Sequence, residues 1–283
     1  AFWTAYARTL AASYLAHHPG QQFFVLIVAD LTPEDRTLFE GDAFTPVLLA
    51  EIGMADIKSE GMKYDILELN TNVKPSFMKH LIETRDLEKL VYLDPDIFVY
   101  APLTPVFQAL DAGATATLTP HMTTPVNDGK LPSEQDMLYN GTYNLGFIAV
   151  RRCEESARLL NWWEERCLEQ GFSEGRTGLF VDQKWMNLAP GLFRGIAILR
   201  HAGCNMAYWN LHERTLVERD TAQFVRGADA VEPLCFFHFS GVVIGDETVL
   251  TKNSNRFSLA ERPDLAKIFR EYKAAVAANK DAV

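Results

Sequence analysis

The segment Leu90-Val91-Tyr92-Leu93-Asp94-Pro95-Asp96-Ile97-Phe98-Val99-Tyr100 sets two carboxylates inside an otherwise apolar run. Apolar residues on both sides predict passage through or beside a core, where carboxylates are costly unless a cation or several hydrogen bonds compensate them. In extended backbone successive side chains alternate, so Asp94 and Asp96 point to one side and can share a ligand. Pro95 has no N–H to give a central sheet, so the strand is expected to end at Asp94. Ligands of open α/β sheets bind outside the carboxyl ends of strands. A hard divalent metal carrying phosphate oxygens suits such a pair. Alone, the motif is read equally well as an Asp-Pro turn.

The remaining chain supplies a suitable setting. With 283 residues, 48% apolar and 23% charged, it is long enough for a sizeable core and ordinary for a globular protein. A net charge of −10 argues against a general nucleic-acid binder, whose surface should be basic. Cys153, Cys167, Cys204 and Cys235 show no C-x-x-C spacing and read as reduced thiols, not as a disulfide framework or a zinc site. No stretch approaches 18 uninterrupted apolar residues, and no charged leader with a cleavage site is visible. The expectation is therefore a cytoplasmic protein.

Helical and strand patterns alternate along the sequence. Tyr6, Leu10 and Tyr14 recur every fourth residue before Pro19-Gly20. Phe23 to Ala29 is a continuous apolar run, as in a buried parallel strand. Thr32-Pro33 reads as a helix cap and first turn, and Lys74-Pro75 opens a helix to about Thr84. Further helices are expected at Thr104–Leu110, after Ser133, at Cys153–Gln170 and at Val181–Leu188, with strands at Ala114–Leu118, Asn144–Val150, Ile196–Arg200 and Leu234–Phe239. This predicts an α/β fold with a mostly parallel central sheet flanked by helices. One domain over 1–283 is the simplest organisation, with an irregular C-terminal third (about 200–262) and a closing helix (about 263–280). Residues 215–232 and 242–262 are the most loop-like.

Three later segments concentrate polar residues at the ends of apolar runs. In Tyr143-Asn144-Leu145-Gly146-Phe147, Asn144 opens a buried strand, and Gly146 permits close approach of a ligand or another backbone. Alone, the segment reads more readily as a turn Asn and a packing Gly. In Phe180-Val181-Asp182-Gln183, Asp182 is able to cap the following helix, whereas Gln183 faces another direction. In Cys235-Phe236-Phe237-His238-Phe239-Ser240-Gly241, His238 lies in a strongly apolar strand before a Gly turn. A lone histidine there is usually a hydrogen-bonded core residue. Joined to Asp94 and Asp96, a neutral imidazole with two carboxylates suits manganese and leaves positions open for a diphosphate.

The order YLDPD, YNLGF, VDQKWMN, HFSG resembles the retaining family 8 glycosyltransferases and their bacterial relatives of GT-A fold, over essentially the whole chain. The resemblance implies that Asp94, Asp96 and His238 hold Mn²⁺ (or Mg²⁺) against the diphosphate of a nucleotide sugar. It implies that Asn144 lies near the donor sugar and reaction centre, and that Asp182 and Gln183 orient the sugar, with Gln183 close to the anomeric carbon. Lys74 falls where relatives carry a basic residue ahead of the metal strand. Tyr143, Gly146 and Gly241 complete the same motifs and are expected at the donor. The implied partners are a nucleoside-diphosphate donor, of UDP type by resemblance, and a glycan or glycolipid hydroxyl.

The chemistry agrees: the leaving diphosphate needs charge stabilisation that a Lewis acid supplies without proton transfer, and the sugar develops oxocarbenium character. Gln183 is a weak nucleophile, so resemblance favours front-face attack by the acceptor, with retention. Asn205, Trp209, Asn210, His212 and Arg214 form a polar and aromatic cluster suited to a sugar's apolar face and hydroxyls, or to anchoring an irregular loop. Leu265, Ile268, Phe269, Tyr272 and Val276 make the closing helix amphipathic, for packing on the domain or for peripheral contact with the cytoplasmic face of a membrane.

Two features depart from the family pattern. Relatives start with a base-contacting strand just before a segment like Tyr6-Ala7-Arg8, and the sequence given opens at Ala1; that strand is expected to be missing, truncated or altered, leaving base preference open. The Lys-Pro-Trp that often follows the His-Gly motif is absent from Val242–Leu250, with Lys252 or Arg256 as substitutes. Two other classes compete. A haloacid-dehalogenase-like phosphatase also uses Asp-x-Asp, although Phe98 stands where that motif carries Thr or Val. A non-catalytic nucleotide-sugar binding protein is the second.

Overall fold

The computed structural model describes residues 2–54, 63–220 and 222–280. Helix α1 (Phe2–His17) stops before Pro19-Gly20, and β1 (Phe24–Ile27) pairs in parallel with β2 (Thr45–Leu48). Between them Thr32 caps a 3₁₀ turn, its amide and hydroxyl both donating to Asp35 Oδ2 at 2.8 and 3.0 Å. Helices α2 (Ile66–Asn72) and α3 (Lys74–Thr84) lead to β3 (Lys89–Leu93) and β4 (Ile97–Val99). There follow α4 (Thr104–Asp111), β5 (Ala116–Pro120), α5 (Glu134–Asn140), β6 (Tyr143–Arg151) and α6 (Glu154–Gln170). Two short helices come next, α7 (Val181–Trp185), which ends short of the expected Leu188, and α8 (Ala189–Leu192), which holds Pro190 in its first turn although Pro190-Gly191 was expected to halt the helix. The remaining elements are β7 (Ile196–Ile198), β8 (Thr215–Arg219), β9 (Ala222–Arg226), β10 (Val231–Pro233), β11 (Phe236–His238) and α9 (Ala266–Lys280).

The central sheet is mixed, not mostly parallel. Its order is β3-β6-β5-β7, with β6 antiparallel to both neighbours and only β5–β7 parallel. The interior of β6 is wholly buried. Ile148 and Val150 pack under Leu159, Leu160 and Trp163 of α6, while Phe147 and Ala149 pack against Ile97, Val99, Leu103 and Val106. A strand covered on both faces reads as one apolar run whichever way it points, so direction was not legible. Residues 215–232 also differ from expectation: β8, β9 and β10 form an antiparallel sheet. Leu216 and Val225 point into the core, but the charged residues Glu218, Arg219 and Arg226 dilute the alternation that announces a strand.

The closing helix turns its apolar face inward. Leu265, Ile268, Phe269, Tyr272 and Val276 join Ala5, Tyr6, Phe237 and Phe239 in one core, and Tyr272 stacks on Phe239 at 3.8 Å between centroids. That face is spent on packing and is not presented to a membrane. No helix among the described residues is long and apolar enough to cross one.

Two devices place the functional side chains. Pairing of β5 with β6 is regular through Leu118↔Ile148 but resumes at Pro120↔Tyr143, so β6 carries extra residues at 144–147. Such a bulge re-aims side chains beside a site. On α6, fully buried Trp163 donates its indole N–H to the Asp182 carbonyl at 2.9 Å, tying the helix to the start of α7. Trp163→Ala is expected to destabilise the protein by ~3–5 kcal/mol, read from urea unfolding midpoints; a loss under about 1 kcal/mol would remove Trp163 from the core argument.

Candidate active site

At the carboxyl end of β3 the chain turns through Asp94-Pro95-Asp96. The Asp94 amide donates to the Gly146 carbonyl at 2.8 Å, and the Ile97 amide closes the turn on the Asp94 carbonyl at 3.1 Å. The strand thus ends at Leu93, one residue before the expected position. Antiparallel pairing of β4 with β11 sets Ile97 opposite His238, and the Phe239 amide donates to the Asp96 carbonyl at 2.8 Å. His238 Nε2 lies 3.0 Å from Asp96 Oδ1. Ligand atoms of Asp94, Asp96 and His238 all fall within 4.8 Å of one another.

Gly146 is required by this arrangement. A Cβ there would stand 2.3 Å from His238 Cε1 and 2.9 Å from Asn144 Oδ1, so the close approach read from sequence is made by the imidazole. Asn144 Oδ1 receives the Gly146 amide at 3.2 Å, Asn205 Nδ2 at 3.0 Å and His238 Nδ1 at 3.2 Å. An acceptor oxygen facing Nδ1 puts the proton on Nδ1 and leaves the Nε2 lone pair for a metal when the ring is neutral. In the ion-free arrangement burial opposes the imidazolium, yet Asp96 outweighs it and raises the His238 pKa. Reciprocally, burial disfavours the Asp96 charge, while His238 holds its pKa below the usual carboxylate range.

Lys74, at the first turn of α3, is buried between two carboxylates. Its Nζ lies 3.2 Å from Asp94 Oδ1 and 3.2 Å from Asp182 Oδ2, donates to the Leu145 carbonyl at 3.1 Å, and stands 5.0 Å above the Tyr92 ring. Burial works against its charge, but Asp182 and then Asp94 more than offset this and raise its pKa. Tyr92 donates its hydroxyl to Asp94 Oδ1 at 2.8 Å. Asp182 is 1% exposed, and burial lifts its carboxyl to about 6 against the pull of Lys74. Its Oδ2 faces the Lys74 ammonium and has no other partner among the described residues.

Asp182 does not cap α7, a place taken by Phe180. Val181 adopts φ 40°, rare for a β-branched residue. After this kink both Asp182 and Gln183 are directed inward. Gln183 Oε1 accepts the Leu145 amide at 3.0 Å and lies 3.4 Å from Asn144 Nδ2, while its Nε2 donates to the Asn140 carbonyl at 3.0 Å.

The predicted residues fall into two groups. Lys74, Asp94, Asp96, Asn144, Gly146, Asp182, Gln183, Asn205, Trp209 and His238 form one connected constellation. Trp209 packs edge-on against His238 and His121, each at 5.2 Å, and its Nε1 has no hydrogen-bond partner. Tyr143 instead packs with the sheet core opposite Pro120, and Gly241 turns at φ 73° against Thr251 and Asn253. Arg256 is no free phosphate ligand: it is buried, chelates Asp128 and donates to the Lys130 and Pro132 carbonyls. Arg214 is likewise committed, to the Ala202 and Cys204 carbonyls.

Sequence reasoning missed Tyr92, His121 and Thr119. His121 Nε2 lies 3.3 Å from Asn144 Nδ2, and burial pushes its pKa down to about 4, keeping it neutral. Thr119 accepts from Asn205 at 2.8 Å, and Asn210 donates to the carbonyls of His121 and Asn205. The end of the strand Ala116–Pro120 was the available signal, since the same polar-at-strand-end logic applies there.

Fold and site together define a mixed α/β protein with a carboxylate–imidazole centre able to take a divalent cation. The galactosyltransferase LgtC, solved with donor and acceptor sugar analogues, aligns over 96% of this chain and 92% of its own, with 16% identity and a TM-score of 0.48. Mouse xyloside xylosyltransferase 1 aligns over 73% of this chain and 82% of its own, with 15% identity and a TM-score of 0.42. In sequence, YfnF of Bacillus subtilis (strain 168) is 30% identical over 173 residues, 60% of this chain and 55% of its own length. YfnD of the same strain is 26% identical over 180 residues, 62% and 54%. Both are described as uncharacterised, and the chain spans about half the length of these relatives. No family profile matches the sequence.

Removing the ammonium would leave two carboxylates facing each other. Lys74→Met is expected to cost ~3–5 kcal/mol. Adding Asp182→Asn should recover part of that loss, giving a non-additive cycle in urea unfolding. Strict additivity would show that the Lys74–Asp182 pair carries no coupling.

Proposed function

We propose that this protein is a metal-dependent glycosyltransferase. It moves a sugar from a nucleoside diphosphate, UDP in the first instance, to a hydroxyl of a glycan or glycolipid, with retention. The observation that carries this reading is the convergence of Asp94, Asp96 and His238 within 4.8 Å, beside buried polar atoms that have no hydrogen-bond partner among the described residues: Asn205 Oδ1 and Trp209 Nε1. Buried polar groups are normally satisfied, so such a set fits a polyhydroxylated ligand. Two carboxylates and an imidazole fixed as the Nδ1–H tautomer suit Mn²⁺ or Mg²⁺. Bound there, the ion supplies Lewis-acid stabilisation of the departing diphosphate.

The chain's own side chains support the rest of the chemistry. Lys74 holds Asp94 and Asp182 in place and neutralises part of their charge. Asp182 and the amide oxygens of Gln183 and Asn144 are preorganised acceptors for positive charge developing at the anomeric carbon. Gln183 is anchored at both ends of its amide, by the Leu145 N–H and the Asn140 carbonyl, which favours a positioning and electrostatic role and fits front-face attack. Trp209 and Asn205 offer a donor and an acceptor to sugar hydroxyls.

Thermal unfolding with UDP, GDP, CDP and dTDP, each with and without Mn²⁺, tests the donor site. At about a hundred times its dissociation constant a ligand adds roughly 2.7 kcal/mol, a shift of several degrees for a chain this size. One nucleotide should shift wild type only with Mn²⁺ and should not shift Asp96→Ala. No shift with any nucleotide, or an equal shift in the variant, would overturn the metal-dependent donor site. For turnover, Gln183→Ala should lower kcat by at least tenfold while changing donor affinity little. Weaker donor binding at unchanged kcat would remove Gln183 from the reaction centre.

A further inference from the structure

A second group of metal-ligating side chains lies behind the site just described. His201, Cys204 and Cys235 bring one nitrogen and two sulfurs within 4.8 Å of one another, and both thiols are buried and free. His201-Ala202-Gly203-Cys204 has the two-residue spacing of a chelating pair, and Cys235 comes from the segment entering β11. The parallel bridge Met206↔Phe237 sets the two segments in register, so Cys204 and Cys235 stand abreast. Glu232 borders the group on the His201 side: its Oε1 is 3.6 Å from His201 Nε2, and its other oxygen accepts the Ala202 amide.

We propose that His201, Cys204 and Cys235 supply the protein ligands of a structural site for a thiophilic, tetrahedral cation of the zinc type, separate from the Asp94–Asp96–His238 centre. Two thiolates and an imidazole are soft and borderline ligands that select zinc, whereas two carboxylates and an imidazole accept manganese or magnesium. Two thiolates around a divalent ion leave no net charge, and buried Arg214, hydrogen-bonded to the Ala202 and Cys204 carbonyls at 2.8 and 2.9 Å, has its own charge met by Glu213 at 3.5 Å. Sequence spacing hid the site because its halves lie 31 positions apart, between Cys204 and Cys235.

The location gives the ion a purpose. Cys204 immediately precedes Asn205, and Cys235 lies three residues before His238, so the ion would clamp together the two segments that supply the Asn144 oxygen with partners.

Cobalt substitution of the full chain provides the test, because a thiolate-to-cobalt charge-transfer band reports sulfur ligation and is blind to a carboxylate–imidazole centre. Reduced protein freed of metal should take up one equivalent of Co²⁺ with that band. Asp96→Ala should show the same band, Cys204→Ala should lack it, and Zn²⁺ should abolish it in wild type by displacement. The metal-loaded form should melt several degrees above the stripped form. No band from wild type whose thiols titrate as reduced would overturn the proposal. So would a Cys204–Cys235 disulfide in protein purified without reductant that does not revert to a metal-binding form on reduction. If Cys204→Ala fails to fold, the wild-type and Asp96→Ala spectra still decide.

Discussion

The buried ammonium of Lys74 is the interaction on which the site depends. It joins three pieces of the fold that share no strand pairing: α3, the turn after β3 and the start of α7. Placing an ammonium in the interior costs several kcal/mol unless opposing charges meet it well. Here they exceed it. With His238 neutral, Asp94, Asp96 and Asp182 against Lys74 leave two negative charges in a poorly solvated space. That surplus equals the charge of one divalent cation. Asp182 registers the imbalance, since burial and nearby Asp94 lift its carboxyl to about 6 although Lys74 is in contact. Much of what the Lys74 cluster costs in stability is thus expected to be recovered when a divalent cation enters.

The aspartates, His238, Asn144 and the Asp182-Gln183 pair were legible because each is a polar residue at the end of an apolar run, where burial demands a partner. Lys74 was legible only through resemblance; on a helical pattern it looks like any surface lysine. His121 was missed because its role is made by tertiary approach from a connecting segment, which no local pattern encodes. The assignments to Tyr143 and Gly241 followed motif membership, and packing places both outside the connected network. Arg256 shows the converse limit. A basic residue in a loop suggested a phosphate contact, whereas the loop uses it to hold Asp128 and the backbone of Lys130 and Pro132.

The fold was legible in its element order but not in strand direction. Strand identity follows from composition and periodicity, whereas direction follows from the path between strands. The connection from Pro120 to Tyr143 holds helix α5, yet it returns the chain antiparallel. The meander of β8 to β10 went unread for a different reason. Only one face is buried, by few residues, and the exposed face carries the charges that mark loops elsewhere.

Asn144 shows why the bulge in β6 matters to chemistry. In a regular strand its side chain would stand off the sheet with its neighbours. The extra residues instead bring its oxygen to three donors and its nitrogen near Gln183 and His121. One amide therefore fixes the tautomer of the metal-ligand candidate, orients the residue expected at the anomeric carbon and locks the Asn205 loop. An aspartate in its place would remove the donor toward Gln183 and add a fourth carboxylate. An alanine would leave His238 Nδ1 buried without an acceptor and take one of two acceptors from Asn205 Nδ2, which would keep only Thr119. The neutral, two-ended amide is the side chain that meets all three demands, and Gly146 gives it and the imidazole the room to meet.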